Sequence, residues 1–491
     1  MTVAHEREVN LLRKNEQSKR TILTMIVACQ LMMVLDASVL VTALPEIGRT
    51  LHLSTAALTW VQNAYILAFG GFLLLGARAG DILGRKRIFS AGIALFLLAS
   101  ILAGLAPSAS LLLAARALQG LAAAMATPSA LALLSVTFSE ARERTKAIAI
   151  YSAATGAGGS IGLIIGGLLT DVISWRAGMF LNVPIGLALL LMIPRYLRET
   201  EMKAGRLDIG GALTSVIGMT ALAFGFVQAA SVGWKSPEVW GSLALGGISL
   251  AAFVWIEMRA QEPITPLRLF ASRMRSGAYL GRLLLICGNY PIFFFVPQYL
   301  QNVLHFDALE AGLAIMPFTV VQFAMMYAMP SLVTRFGNVK VLIAGLGIAI
   351  AGTSWLTFIS ADSSFFPDLF FPLIVMGGGA GMIFQPFTTL GLSGVDAKDA
   401  GAASGMVNVA HQTGASLGLA VLIAVFEAAS RESASSIASF AHGISVSIWG
   451  SVIFLTASLV VVLIMLLPAD KANAVRRREG TRTVVSKGRV S

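Results

Sequence analysis

The sequence predicts an all-α integral membrane protein, and three observations carry that prediction. Fourteen apolar stretches are long enough to cross a bilayer. The gaps between them hold lysine and arginine almost entirely in alternate gaps. Only 12% of the 491 residues are charged while 56% are hydrophobic, a balance that no ordinary soluble surface reaches.

If the first crossing starts at Thr21, 31 of the 36 Lys and Arg fall in the gaps and tails of one side. Arg49, Arg176, Lys235 and Arg431 fall on the other side, and Arg116 alone is assigned to the interior of an apolar stretch. The positive-inside rule then puts both termini in the cytoplasm. The net charge of +11 is scattered over short loops. It reads as a topology signal and as contacts to anionic membrane lipid, not as a nucleic-acid surface. The stretch from Thr21 is too long, and follows too charged a segment, to be a signal peptide.

In order, the spans cover 21–45, 57–77, 88–106, 110–137, 147–170, 178–194, 208–230, 238–258, 276–299, 308–333, 339–360, 366–391, 402–427 and 443–467. Each suffices for a ~30 Å hydrocarbon layer at about 1.5 Å per residue. Each must be helical, because lipid offers no partner to an open peptide group. Pro45, Pro107, Pro237, Pro263, Pro266 and Pro468 mark boundaries. Cys29 and Cys287 fall within spans and read as small apolar packing residues.

An internal repeat groups the spans. The gap after span two reads Gly80-Asp81-Ile82-Leu83-Gly84-Arg85-Lys86-Arg87, and the gap after span ten carries a weaker copy, Thr334-Arg335-Phe336-Gly337-Asn338-Val339-Lys340. Span five has Gly158-Gly159-Ser160-Ile161-Gly162-Leu163, and span thirteen has Gly414-Ala415-Ser416-Leu417-Gly418-Leu419. Both pairs are eight spans apart, so spans 1–6 match spans 9–14 and spans 7 and 8 are an insert. The expected organisation is a cytoplasmic tail (1–20), a six-helix half (21–198), two inserted helices (207–258), a second six-helix half (276–467) and a basic cytoplasmic tail (468–491). Two parallel halves around a central site are the ground plan of many secondary transporters.

At this level of detail the chain resembles the fourteen-span drug:proton antiporters of the major facilitator superfamily over nearly its whole length. Span one ends Leu35-Asp36-Ala37-Ser38-Val39-Leu40-Val41-Thr42-Ala43-Leu44-Pro45, similar to that family's first-helix motif. Trp60 and Tyr65 stand at the family's spacing in span two. Arg116, Gln119 and Gly120 match its fourth-helix motif, and Trp175-Arg176 with Asn182 and Pro184 match the start of its sixth helix. Asp208 with Gly211 resembles the start of its inserted pair. The resemblance implies a major facilitator fold and multidrug or antibiotic efflux driven by protons.

Charges within the membrane are scarce and costly, about 2.5–3.5 kcal/mol each on insertion scales, so they read first as functional. Among 25 acidic residues only Asp36 lies well inside the apolar layer. Burial disfavours the charged carboxylate, which lets such a group load and release a proton. The plainer reading is a structural carboxylate holding neighbouring helices. Asp36 lies ~22 Å above the start of span one and Arg116 ~9 Å below the outer start of span four, so the two share a depth. Proton or cationic substrate would then compete with Arg116 for Asp36, and the resemblance gives Arg116 the same coupling role. His411 in span thirteen is a further proton-coupling candidate, or else a helix–helix hydrogen-bonding group.

Asp81, Gly84, Arg85 and Lys86 mark a gating loop between two helix ends; by resemblance it latches the outward-facing state. Ala77 and Ile82 depart from that family's pattern there. Gly158, Gly162 and Gly166 form successive GxxxG pairs for close helix approach, and the resemblance makes them part of a seal against the other half. Leu163 stands where the family has proline and Ala149 where it has glycine. Gln62, Asn63 and Tyr65, with Asn289, Tyr290, Phe293 and Gln298, are candidates for lining a substrate cavity.

These features favour export of a hydrophobic or cationic drug in exchange for protons by alternating access. The alternative is proton-linked uptake of a small metabolite on the same fold, which the Leu163 departure keeps open. No GxxxxGK[ST] phosphate loop occurs in the chain. No enzyme, cofactor or metal is expected, and the partners are an amphipathic small molecule, protons and membrane lipids. The expected setting is a bacterial inner (plasma) membrane, with the monomer as the working unit.

Overall fold

A computed structural model describes all residues except 1, 139, 201, 203–207, 261–262, 264–266, 396–399, 431–436 and 473–491. Helices follow one another along the chain, with no strand among the described residues. They are α1 (Thr2–Leu51), α2 (Thr55–Leu83), α3 (Arg85–Gly104), α4 (Ala109–Thr137) and α5 (Ala141–Val172). Next come α6 (Trp175–Tyr196), α7 (Ile209–Val232), α8 (Pro237–Arg259), α9 (Arg273–Asn302) and α10 (Ala308–Phe336). The last four are α11 (Asn338–Leu356), α12 (Phe365–Gly391), α13 (Ala400–Ser430) and α14 (Ile437–Ala472). Each stands where a span was expected.

Among the described residues, 13 helices are long and apolar enough to cross a membrane. The remaining one, α5, has 32 residues, and its described apolar part is Ile161–Val172. Capping fixes several starts: the side chains of Ser54, Ser108, Ser236 and Asp208 accept from the first turns of α2, α4, α8 and α7. The residues expected as the N-terminal tail continue α1, which is helical from Thr2. The expected basic tail is helical to Ala472, and its remainder, 473–491, lies outside the described residues.

The chain divides into two compact units. The first holds residues Met1–Ile264 together with Phe294–Ala314, and so includes the inserted pair α7 and α8. Within it α7 packs on α2: a Cβ at Gly71 would lie 2.2 Å from the Val216 side chain. Glycine also sets the approach of α5 to α1. Cβ atoms built at Gly158, Gly162 and Gly166 would meet Leu31, Ser38 and Val39 at 2.9, 2.6 and 2.6 Å. This ridge therefore lies on the helix that carries Asp36. Gly167 makes the contact with the segment that includes Ala308 and Leu309.

The second unit holds Thr265–Phe293 and Ile315–Ser491. Here α13 approaches α9 as α5 approaches α1. A Cβ at Gly414 would lie 2.4 Å from the Leu283 carbonyl, and one at Gly418 2.3 Å from Cys287 Cα. Cys29 and Cys287 are both free and buried.

Candidate functional site

In the first unit, Asp36 on α1 meets Arg116 on α4 with Nη1 to Oδ2 at 2.5 Å. Both residues are 1% exposed. The other carboxylate oxygen accepts from Gln119 Nε2 at 2.8 Å and from Asn182 Nδ2 at 2.7 Å. Ser100 on α3 closes the ring, its hydroxyl lying 2.9 Å from Gln119 Nε2 and 3.2 Å from Asn182 Nδ2. Arg116 also donates to Gln119 Oε1 at 2.7 Å and to the Val61 carbonyl at 3.2 Å. Its guanidinium stacks 4.7 Å over the Tyr65 ring.

Five helices thus converge on one carboxylate. Three donors, one of them cationic, satisfy its negative charge. A proton on Oδ2 would compete directly with Arg116, so protonation and release of the arginine are alternatives at one atom. Asn63 is fully buried, and among the described residues neither of its amide atoms has a hydrogen-bond partner; the same holds for Gln62 Nε2 and Asn182 Oδ1.

The loop between α2 and α3, expected to act as a gate, forms a second polar cluster in this unit. Asp81 Oδ1 accepts from Arg85 Nε and Nη2 at 3.0 and 2.7 Å. Gly84 joins α2 to α3 at φ 101°, a conformation that favours glycine. A Cβ there would also strike the Glu199 carboxylate at 2.6 Å. Glu199 in turn accepts from the backbone N–H of Lys86 at 2.9 Å and of Arg87 at 3.2 Å, capping α3 with negative charge where the helix dipole favours it. Glu199 was not anticipated, since only a contact between residues 113 apart reveals it.

The predicted substrate residues divide between the units. Gln62, Asn63 and Tyr65 are buried in the first. Gln298, also in the first, turns back on its own helix, donating to the Phe294 carbonyl at 3.2 Å. Asn289, Tyr290 and Phe293 are in the second, where Phe293 packs edge-on against Phe318 with centroids 5.1 Å apart. A cavity of about 380 Å³ between α1 and α6 is lined by Met25, Ala28, Pro184 and Leu189, and by none of these seven.

His411, in the second unit, faces Arg282, whose Nη2 lies 3.5 Å from its Nδ1. A guanidinium only donates, so that ring nitrogen acts as an acceptor. Arg282 corrects the basic-residue assignment, which placed it in a cytoplasmic gap. It lies nine residues inside α9 and is 8% exposed. Its position within span nine (276–299) agrees with this and not with the gap count. Among the described residues no group of three His, Cys, Asp or Glu side chains has metal-binding geometry.

Residues 26–419 match the model of the Major Facilitator Superfamily. Among curated proteins, the chain is 37% identical to the cephamycin export protein of Amycolatopsis lactamdurans over 82% of this chain and 84% of that one. It is 39% identical to a puromycin resistance protein of Streptomyces alboniger, over 82% and 80%. Among solved structures, a bacterial homologue of the human lysosomal transporter Spinster superposes with a TM-score of 0.65 at 17% identity, covering 91% of this chain and 98% of that one.

Proposed function

Because this chain belongs to the Major Facilitator Superfamily, we propose that it is a drug and antibiotic exporter driven by protons, with Asp36 as the group that carries the proton. Export is the reading its relatives support, since they are named for antibiotic export and resistance. They weigh against uptake, the alternative that Leu163 kept open. Proton coupling rests on one observation above all: a single carboxylate, 1% exposed, held by Arg116, Gln119 and Asn182.

In the closed arrangement the arginine neutralises Asp36. When the site opens to the side of higher proton concentration, a proton takes Oδ2 and Arg116 is released to its neutral partners, Gln119 Oε1 and the Val61 carbonyl. The change of charge at one depth on α1 and α4 alters how those helices pack and biases the exchange of access. Inward movement of one proton through 100 mV yields about 2.3 kcal/mol. Asp81, Arg85, Lys86 and Gly84 serve as the cytoplasmic gate, with Glu199 holding α3 in place. The protein works as a multi-pass monomer in a bacterial plasma membrane with cytoplasmic termini, as its basic residues indicate.

Everted membrane vesicles energised to an acid interior, with a pH-sensitive dye inside, test this. Antibiotics and lipophilic cations are added to wild type and to Asp36→Asn. Compound-evoked proton efflux that vanishes in the variant is the expected result. A variant that still exchanges protons for drug would end the assignment of Asp36.

A further inference from the structure

The second unit contains a buried cation that the exchange mechanism does not use. Arg282 is 8% exposed, and among the described residues its partners are formally neutral. Its Nη1 donates to the Phe384 carbonyl at 3.2 Å and to Thr388 Oγ1 at 3.1 Å. Its Nη2 stands 3.5 Å from His411 Nδ1, and its Nε is buried without a hydrogen-bond partner. The guanidinium lies 5.4 Å from the centroid of the Phe384 ring, which also flanks His411 at 6.1 Å. Among the described residues it forms no ion pair.

Arg116 in the first unit shows the usual solution, a buried guanidinium matched by a carboxylate at 2.5 Å. Leaving one charge of a buried pair uncompensated is costly, and an arginine within a span is by default functional. The arrangement of its donors is specific. Nη1 is spent on Phe384 and Thr388, whereas Nε is open and Nη2 makes only a long contact with an acceptor nitrogen. Those two N–H groups point in parallel from one edge of the guanidinium, the edge that grips both oxygens of a carboxylate. Arg282 lies about 9 Å and His411 about 14 Å past the cytoplasmic starts of their spans at 276 and 402, inside the hydrocarbon layer and on the cytoplasmic side of the midplane near which transporters of this plan bind their cargo.

Building on the export reading, we propose that Arg282, with Thr388 and His411, is a receptor for the carboxylate of an anionic amphipathic substrate, the Phe384 ring taking up its apolar body. Acidic compounds are then cargo alongside neutral and cationic ones. Asp36, in the first unit, has no part in recognising that acid.

The test uses full-length protein in detergent and follows its thermal midpoint with increasing ligand. The probes are benzylpenicillin, fusidic acid and 2-naphthoic acid, each paired with its methyl ester, and tetraphenylphosphonium as a cation. The buffer is HEPES at low ionic strength with no carboxylate salt, with sodium chloride as a separate arm. At least one acid is expected to stabilise wild type at a concentration about tenfold or more below its ester, the worth of one charge-assisted hydrogen bond. In Arg282→Gln acid and ester come to act alike, and Arg282→Lys retains part of the preference. Both variants are first checked for a monodisperse elution profile, and Thr388→Val provides a milder lesion if either fails; it should narrow the gap.

Acid and ester acting alike on wild type would overturn the proposal, as would a preference that survives in Arg282→Gln. Stabilisation by chloride that depends on Arg282, without any acid effect, would make this a halide site and overturn it too. Stabilisation by tetraphenylphosphonium or the esters but by no acid would reject the anion receptor and leave export standing. Silence from every probe, together with no proton efflux in vesicles, would bring down export itself.

Discussion

Replacing Gly166 by alanine tests whether the α1–α5 contact holds the Asp36 site in register. The new Cβ would lie 2.6 Å from Val39 Cα and 2.8 Å from the Val39 carbonyl oxygen, about 1 Å inside the ~3.5–4.0 Å at which carbon atoms rest. Both neighbours are backbone, so α1 must withdraw by roughly that amount. Asp36 sits less than one turn before Val39 and moves with it. Its bonds to Arg116, Asn182 and Gln119, now 2.5, 2.7 and 2.8 Å, would stretch past the ~3.2 Å limit of a good hydrogen bond. Loss of one charge-assisted bond costs about 1.5–3 kcal/mol, a tenfold or larger change in an equilibrium at about 1.4 kcal/mol per decade. Gly159→Ala is the control on the same helix, since nothing lies within 4 Å of its Cβ position; there alanine gains helix propensity of about 1 kcal/mol. The assays are the thermal midpoint in detergent and drug-evoked proton efflux in everted vesicles. Gly166→Ala should fall well below wild type in both, and Gly159→Ala should match or exceed wild type in stability. A Gly166→Ala protein indistinguishable from Gly159→Ala would refute the claim that this contact positions Asp36.

Arg116→Gln strands a buried carboxylate and is expected to cost about 3–5 kcal/mol, seen as a lowered midpoint; the Asp36→Asn/Arg116→Gln double variant should recover much of it, and a simple sum of the two single effects would disprove the coupling. Glu199→Ala removes the cap on α3 and should destabilise by about 1 kcal/mol, in the range of helix-cap deletions. The same measurement on Gly84→Ala should show a larger loss, because strain at φ 101° adds to a clash with Glu199. Asp171 accepts from the backbone N–H of Ala308 and Leu309 at 3.2 and 2.8 Å, so Asp171→Ala should lower the midpoint slightly while Asp171→Asn, which keeps one acceptor, loses less.

Much of this was legible in the sequence, for a physical reason. A bilayer imposes a minimum span length and punishes charge, so the positions of all fourteen helices and the depth shared by Asp36 and Arg116 follow from counting residues. Partners that are neutral and short carry no such signal. Ser100 looks like any small residue in α3, and only the folded site shows it bridging Gln119 and Asn182. Arg282 was already legible, since it falls inside span nine (276–299), and counting it among the gap residues contradicted those bounds. The GxxxG ridge of α5 was visible as a surface for close approach, but not which helix it meets. Periodicity reports a face, and the identity of the neighbour is a property of the whole unit.

The shape of the Asp36 cluster also limits what the cell can gain from it. One carboxyl group has room for one proton, and Arg116 occupies the place that proton must take. A transporter that draws on this group alone exchanges one proton per turn. For a neutral compound at 100 mV and no pH difference, the ~2.3 kcal/mol available supports at most about a fiftyfold concentration ratio across the membrane at about 1.4 kcal/mol per decade. Drugs that leak back quickly would defeat it, so the protection it offers depends as much on how slowly the bilayer readmits a compound as on how tightly the protein holds it.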